Sequence, residues 1–583
     1  MTNAQPTQGG GAAWLFAGHY GVIIVVFVAM VAATWLTWPD PTVDFGRELY
    51  VPWQITQGKV LYRDIAYFNG PLSPYFNALM FRIFGLSLRT LMFANLALLA
   101  GLTWMIWRVI RLISDEFTAT TACVVLLTAF SFLQLGNVRN YNFVTPYSHE
   151  IAHGVILSFL GLICLMRFID RRRAWIAGVT GIVLGLVFLT KVEVFLAAAV
   201  AISAGILLAR PSAKAIGLFF LCILVPPLLA LILLWTKLPF GQAFRGMMGS
   251  WMYVFDNRIT NLAFYRNVMG TDDVHAGLRT IAEVAGVYGV ILLLSILAGM
   301  VLPRRWNAVY TVLIGGIVAV VIAFLVVPIS TWQRSLRGMT LVAPLLALGT
   351  TALAIRRPRP RRIVRAAFSI FATLLMAKIA LNVVPYHYGF ALAMPATLLA
   401  VVGAVYWLPD FLERRGGFEW SARAVVLPVI ALFVFVLLFV YLRDFYPQRE
   451  IVGSGSDRFY SDIRGKAVQR MLELTQPHPS GQTVAVLPDG AMFNYLSRTP
   501  NPTPYITLMP PEVLMFGQET ILGALEAHPP DVIIFNTRSD PKEYGYDSFA
   551  AYAPALSEWI NQNYQEQDLR QAGGFPFRLL RRR

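Results

Sequence analysis

Two groups of residues have the types and spacing to do chemistry. The first is His149-Glu150-Ile151-Ala152-His153, which fits H-E-x-x-H. On a helix this spacing sets two imidazoles on one face as zinc ligands, with Glu150 as general base. Alone it points to a zinc metalloprotease, but a third ligand is needed and no later H-x-x-G-x-x-H follows. The only Pro-Asp-Gly, Pro488 to Gly490, lies in a C-terminal stretch of different composition. His149, Glu150 and His153 therefore stand as candidate ligands for a divalent metal or as substrate contacts, beside the plainer reading of polar residues at a helix start. The second group is Asp44 with Arg47, and behind them Arg63 with Asp64. Asp44 can simply cap a helix and pair with Arg47; beside a membrane it can also act as a base on a hydroxyl.

Composition says what must position these residues. The chain is 57% hydrophobic and 14% charged, with a mean hydropathy of +0.59, where an ordinary soluble domain has roughly 25% charged residues. A hydrocarbon core needs about 20 apolar residues per helix, and the sequence predicts about thirteen such spans, beginning with His19 to Trp38. Among them are Val309 to Val327 and Ala366 to Val384. The run Trp175 to Ala209 is too long for one crossing, and Lys191 and Glu193 interrupt it. It reads as two spans, Trp175 to Thr190 and Val192 to Ala209, joined by a tight hairpin.

Charge then sets orientation. Residues 1–442 carry a net charge of +18 and the rest −2. Arg108 and Arg111, Arg171 to Arg173, Arg210 and Lys214, Arg304 and Arg305, Arg356 to Arg365, and Arg414 and Arg415 fall between alternate spans. That alternation puts them and the N-terminus in the cytosol. The positive charge therefore implies no nucleic-acid partner. An odd number of spans puts the C-terminal part on the periplasmic or extracellular side. Residues 1–18 read as a disordered tail, 19–442 as the transmembrane domain with large outer loops 39–88 and 236–279, and 443–583 as a small α/β domain. In that domain the β-like runs Thr483 to Leu487 and Asp531 to Phe535 flank a helical pattern from Glu512 to Ala527. A stretch from Phe240 to Phe255 reads as amphipathic and interfacial. The three cysteines sit in apolar runs and offer no disulfide framework.

Several runs together resemble the bacterial GT-C glycosyltransferases akin to the protein O-mannosyltransferases and the lipid A aminoarabinose transferase. They are YRDIAYFNGPLSPYFNALMFRIFG (Tyr62 to Gly85), PYSHEIAHG (Pro146 to Gly154), FLTKVEVF (Phe188 to Phe195) and PYHYGFALAMPA (Pro385 to Ala396), with VAVLPDGAMFNYLSRTPNPTPY (Val484 to Tyr505) and PPDVIIFNTR (Pro529 to Arg538) near the end. The resemblance implies a GT-C-like bundle and inverting transfer of a sugar from a polyprenyl-phosphate carrier to a glycan, lipid or protein acceptor, at the outer face of the cytoplasmic membrane. It implies a first-loop acid as base, which maps onto Asp44. Members often carry two adjacent acids there; here Phe45 follows Asp44, so metal use stays open.

The residues support that chemistry independently. A sugar-phosphate donor has an anionic leaving group, so the site needs fixed cations where charge develops. Arg47, Arg63, Lys191, Arg334 and Arg337 are the outer-face candidates. Lys191 and Glu193 lie at a hairpin tip, where an intramembrane charge is by default functional, although they could equally bridge each other. Arg334 and Arg337, spaced i,i+3, could clamp a phosphate or meet lipid head groups. His387, between Tyr386 and Tyr388, suits either a sugar site or an aromatic belt. A lipid or solute transporter is a further reading, but no internal repeat supports it.

Overall fold

The computed structural model describes residues 9–135, 142–301, 334–386, 388–416, 418–447, 449–475, 481–537, 541–567 and 576–583, with residue 539 and a scatter between 309 and 332. Within a bilayer every backbone N–H must be satisfied inside its own segment, so the apolar runs fold as helices. Seven described helices are long and apolar enough to cross: Leu88–Ile113, His149–Arg171, Ala213–Trp235, Ala263–Ala298, Ser335–Arg356, Phe390–Glu413 and Trp420–Phe445. Four shorter apolar helices, Gly18–Thr34, Glu116–Ser131, Ala174–Phe188 and Val192–Leu208, accompany them. The protein is a multi-pass membrane protein.

The long apolar run is indeed two helices. Ala174–Phe188 stops where the amides of Leu189 and Thr190 close on the carbonyls of Leu186 and Val187, and Lys191 is extended before Val192–Leu208 begins. The expected span Ala366 to Val384 is set differently. Its helix is Pro360–Met376, followed by a single turn of 3-10 helix, Ala377–Ile379. Proline suits a first helical turn because it has no N–H to leave unsatisfied. The helix is thereby shifted toward its arginine-rich end, and Lys378 emerges past its C-terminus. Most of the expected span Val309 to Val327 lies outside the described residues. The amphipathic stretch forms Phe240–Met248, with Phe240 and Phe244 exposed on one face.

The C-terminal part carries a small mixed sheet of four strands and a separate antiparallel pair, β1 (Glu450–Val452) with β2 (Phe459–Ser461). β3 (Val484–Leu487) and β4 (Val532–Asn536) are adjacent and parallel, with Val484 opposite Val532, so their carboxyl ends share one edge. β6 (Phe577–Arg582) runs antiparallel to β4, and β5 (Tyr564–Gln567) pairs with β6. The helical pattern between β3 and β4 is broken at Gly517, whose φ of +85° is a conformation glycine enters freely, giving Pro510–Phe516 and Gln518–Ala527.

Bundle and sheet share one continuous core. The amphipathic helix Phe45–Thr56 joins them: Phe45, Leu49 and Tyr50 pack in the same cluster as Met492 and Tyr495. At Gly46 the helix backbone presses on the backbone of Ala491–Ser497, where an added Cβ would lie 2.0 Å from the Met492 nitrogen. A second seam ties the same loop to the hairpin. The amides of Gly70 and Leu72 donate to the carbonyls of Thr190 and Leu189 at 3.0 and 3.1 Å.

Candidate active site

Asp44 sits in a strained turn at the head of Phe45–Thr56. The Phe45 amide donates to the Val43 carbonyl at 2.6 Å across Asp44, whose φ of 52° and ψ of −57° make a γ-turn of the rare left-handed kind. Such strain persists only where the surroundings over-determine it. Here Asp40 supplies the restraint: it is fully buried, accepts the amides of Thr42 and Val43 at 2.9 Å, and pairs with Arg464 at 2.7 Å. Arg464 belongs to the helix Ile463–Thr475, so the C-terminal region helps to hold the turn.

Arg47, one helical turn on, lies 3.5 Å from the Asp44 carboxylate and 3.2 Å from that of Glu48, and donates to the Tyr147 carbonyl at 3.0 Å. Behind it Glu48 meets His149 Nδ1 at 2.8 Å. The Asn95 amide group reaches both the Val144 carbonyl and His149 Nε2 at 2.9 Å. A carbonyl only accepts, so the Asn95 nitrogen donates to both. His149 is then the Nδ1–H tautomer, and neither ring nitrogen is left for a metal. Glu150 is bonded by the hydroxyls of Tyr67 and Ser148, and His153 Nδ1 lies 3.0 Å from Ser73 Oγ. The H-E-x-x-H residues thus form a buried brace behind Arg47, and none of the three lines the cavity described next.

A cavity of about 280 Å3 lies between the first loop, the 188–191 hairpin and the C-terminal region. Its cations are Arg47, Lys191, Lys378 and Arg464; its acids include Asp44, Asp489 and Glu512; Tyr147, Tyr265, Tyr388 and Tyr544 add phenol rings. Lys191 Nζ stands 5.6 Å over the Tyr147 ring, and Lys378 pairs with Glu193 at 3.0 Å. The Tyr388 hydroxyl donates to Asp44 at 3.2 Å. Burial raises the Asp44 carboxyl above the ordinary aspartate range, against the opposing pull of Arg47 and of the Tyr388 hydrogen bond. Burial likewise pushes Glu512 up to about 7. Asp489 is raised well above its ordinary value, first by burial and then by the nearby charges of Asp44 and Glu512.

Of the residues singled out in the sequence, Asp44, Arg47 and Lys191 meet at the cavity, and Glu193 reaches it through Lys378. Arg63 and Asp64 instead pair with each other at 2.9 Å, with Asp64 also accepting the Val60 amide at 2.8 Å, in a turn outside the lining. Arg334 is exposed, and Arg337 bonds to Asn382; neither lines the cavity. His387 lies outside the described residues, while its neighbours Tyr388 and Gly389 line the wall. Sequence reasoning missed Lys378, Arg464, Asp489 and Glu512. Lys378 carried a usable signal, because it is the one charge in the expected span Ala366 to Val384.

No family model matches the sequence, and no curated protein matches it either. Solved structures do match. The oligosaccharyltransferase of Archaeoglobus fulgidus, crystallised with zinc and sulfate, is 12% identical with a TM-score of 0.51, over 95% of this chain and 72% of that one. ArnT from Cupriavidus metallidurans, bound to undecaprenyl phosphate, is 14% identical with a TM-score of 0.43, over 98% of each chain. The bundle and its sheet thus have the GT-C-like fold. The residues present do not suit a zinc ion. Among the described residues no three of His, Cys, Asp and Glu converge as a metal site, and the Asp44 oxygens face a guanidinium and a phenol hydroxyl.

Proposed function

We propose that the protein is an inverting glycosyltransferase that moves a sugar from a polyprenyl-phosphate carrier to an acceptor hydroxyl at the outer face of the cytoplasmic membrane. The N-terminus is cytoplasmic in this reading, and the C-terminal region faces the periplasm or exterior. One observation carries the proposal: a half-buried carboxylate, Asp44, shares a cavity with two lysines, Lys191 and Lys378, that stand at helix ends. A leaving phosphate still attached to its lipid must sit at that depth. The acceptor oxygen attacks the anomeric carbon as its proton passes to Asp44. The bond from that carbon to the phosphate oxygen breaks, and the phosphate leaves as an anion against Lys191 and Lys378. Base and leaving group on opposite faces of the sugar invert the anomeric centre. Arg47 opposes the effect of burial on Asp44 and so favours its ionised, proton-accepting form, and the oligosaccharyltransferase whose fold the chain shares is itself named for glycosyl transfer.

Replacing both lysines tests this. Lys191→Met with Lys378→Met removes two charge-assisted contacts, and at about 1.5–3 kcal/mol for a hydrogen bond to a charged group transfer falls by at least about a hundredfold. Steady-state kinetics with a polyprenyl-phosphate sugar and radiolabelled transfer measure it; unchanged kcat/KM would refute the assignment. Tyr388→Phe removes a bond that favours the ionised Asp44. The acid limb of the pH–rate profile is then expected to move to higher pH, which a rate series across pH 4–8 reads directly.

A further inference from the structure

Around the cavity, Asp44 and the cations Arg47, Lys191 and Lys378 come from the first loop and the helix ends, and Arg464 from the helix Ile463–Thr475. Two further acids, Asp489 and Glu512, come from the C-terminal region. They stand at a particular edge of the sheet. Asp489 follows β3 by two residues, Asn536 ends β4 and lines the same wall, and Glu512 opens the helix Pro510–Phe516. The carboxyl ends of parallel strands are where open α/β sheets present ligand-binding loops.

Among the described residues, two buried acceptors here lack partners. Glu512 is 8% exposed and its Oε2 has no hydrogen bond; Asn69, from the first loop, is 1% exposed and its Oδ1 has none. Both residues line the cavity. A buried oxygen without a donor is costly, and these two are answered only if something in the cavity donates to them.

We propose that Glu512, Asp489 and Asn69 form a polyol subsite that grips hydroxyl groups of a neutral sugar, making the C-terminal region the part of the enzyme that selects its glycosyl substrate. This rests on the transferase reading above. Hydroxyl groups suit the subsite because they donate and accept at once. Glu512, held up to about 7 by burial, can do both near neutrality. An ammonium group suits it less, because Arg47 is close enough for both Asp489 and Glu512 to feel its charge.

The test is direct binding to the full-length protein in detergent, read by saturation-transfer NMR with methyl glucoside as the neutral probe and glucosamine as the ammonium probe. Methyl glucoside is expected to bind wild type and Glu512→Gln alike, because an amide still hydrogen-bonds a hydroxyl. Glu512→Ala is expected to weaken it by about tenfold, the worth of one hydrogen bond. Asp44→Asn should bind the sugar normally while its transfer falls by about 10²–10⁴-fold, so failure of the subsite and failure of the transferase reading are separate results. Equal binding by Glu512→Ala overturns the proposal, as does a preference for glucosamine that Glu512→Gln abolishes.

Discussion

Asp44→Asn is expected to leave the protein inserted and folded and to lower transfer by about 10²–10⁴-fold, the usual contribution of a positioned general base. The substitution keeps the shape and the hydrogen bond to Tyr388 and removes the ability to take a proton, together with the charge that faces Arg47 at 3.5 Å. Stability should move the other way. The folded carboxyl titrates above its ordinary 3.8 because burial disfavours its charge. In the window between that ordinary value and the raised one, the unfolded chain releases a proton that the folded chain still holds. Stability is therefore lost as pH rises through the window and stays lost above it. Asparagine carries no such cost. A variant that melts at or above the wild-type temperature while its transfer falls that far would be the mark of a functional strain. Full transfer by purified Asp44→Asn would remove Asp44 from the mechanism.

Gly46→Ala carries the second large effect. The new Cβ would lie 2.0 Å from the Met492 nitrogen and 2.5 Å from its Cα, both backbone atoms with no rotamer to yield. Overpacking typically costs about 1–3 kcal/mol and more where the neighbour cannot move. Relief requires the helix Phe45–Thr56 to part from Ala491–Ser497. That would withdraw Asp489 from Asp44 and loosen the Arg464–Asp40 pair. Expected results are a lowered thermal midpoint, new sites of limited proteolysis between residues 442 and 483, and loss of transfer together with loss of sugar binding. Wild-type melting and activity in Gly46→Ala would show that the seam is softer than its geometry implies.

These residues also mark how far the chain could be read before it was folded. Asp44, Arg47 and Lys191 were legible because each is a charge at the edge of an apolar run, where burial makes its presence expensive. The hairpin at Lys191 followed from the length of its apolar run and from the charges, Lys191 and Glu193, that interrupt it. Lys378 was lost to a boundary error, since hydropathy extended its span to Val384 while Pro360 fixed the helix start earlier. Asp489 and Glu512 were invisible for a different reason: they reach the cavity only because β3 and β4 pair in parallel and because Gly46 lets the C-terminal region sit close. The H-E-x-x-H motif misled because its meaning depends on Glu48, 101 positions away, which engages the His149 ring before any ion could. Arg334 and Arg337 had suitable spacing, but neither lines the cavity: Arg334 is exposed and Arg337 is taken up by Asn382.

The parallel pair β3 and β4 has a consequence for how such an enzyme can diversify. The segments leaving those two strands contribute Asp489 and Asn536 to the wall, yet the turn that holds Asp44 is fixed elsewhere, by Asp40 and Arg464. Insertions or exchanges after β3 or β4 can therefore remodel what is recognised while the reacting carboxylate stays in register. A chimaera that swaps residues 506–540 and keeps Ala491–Ser497 against Gly46 is therefore expected to inherit a new substrate preference with Asp44 held in place.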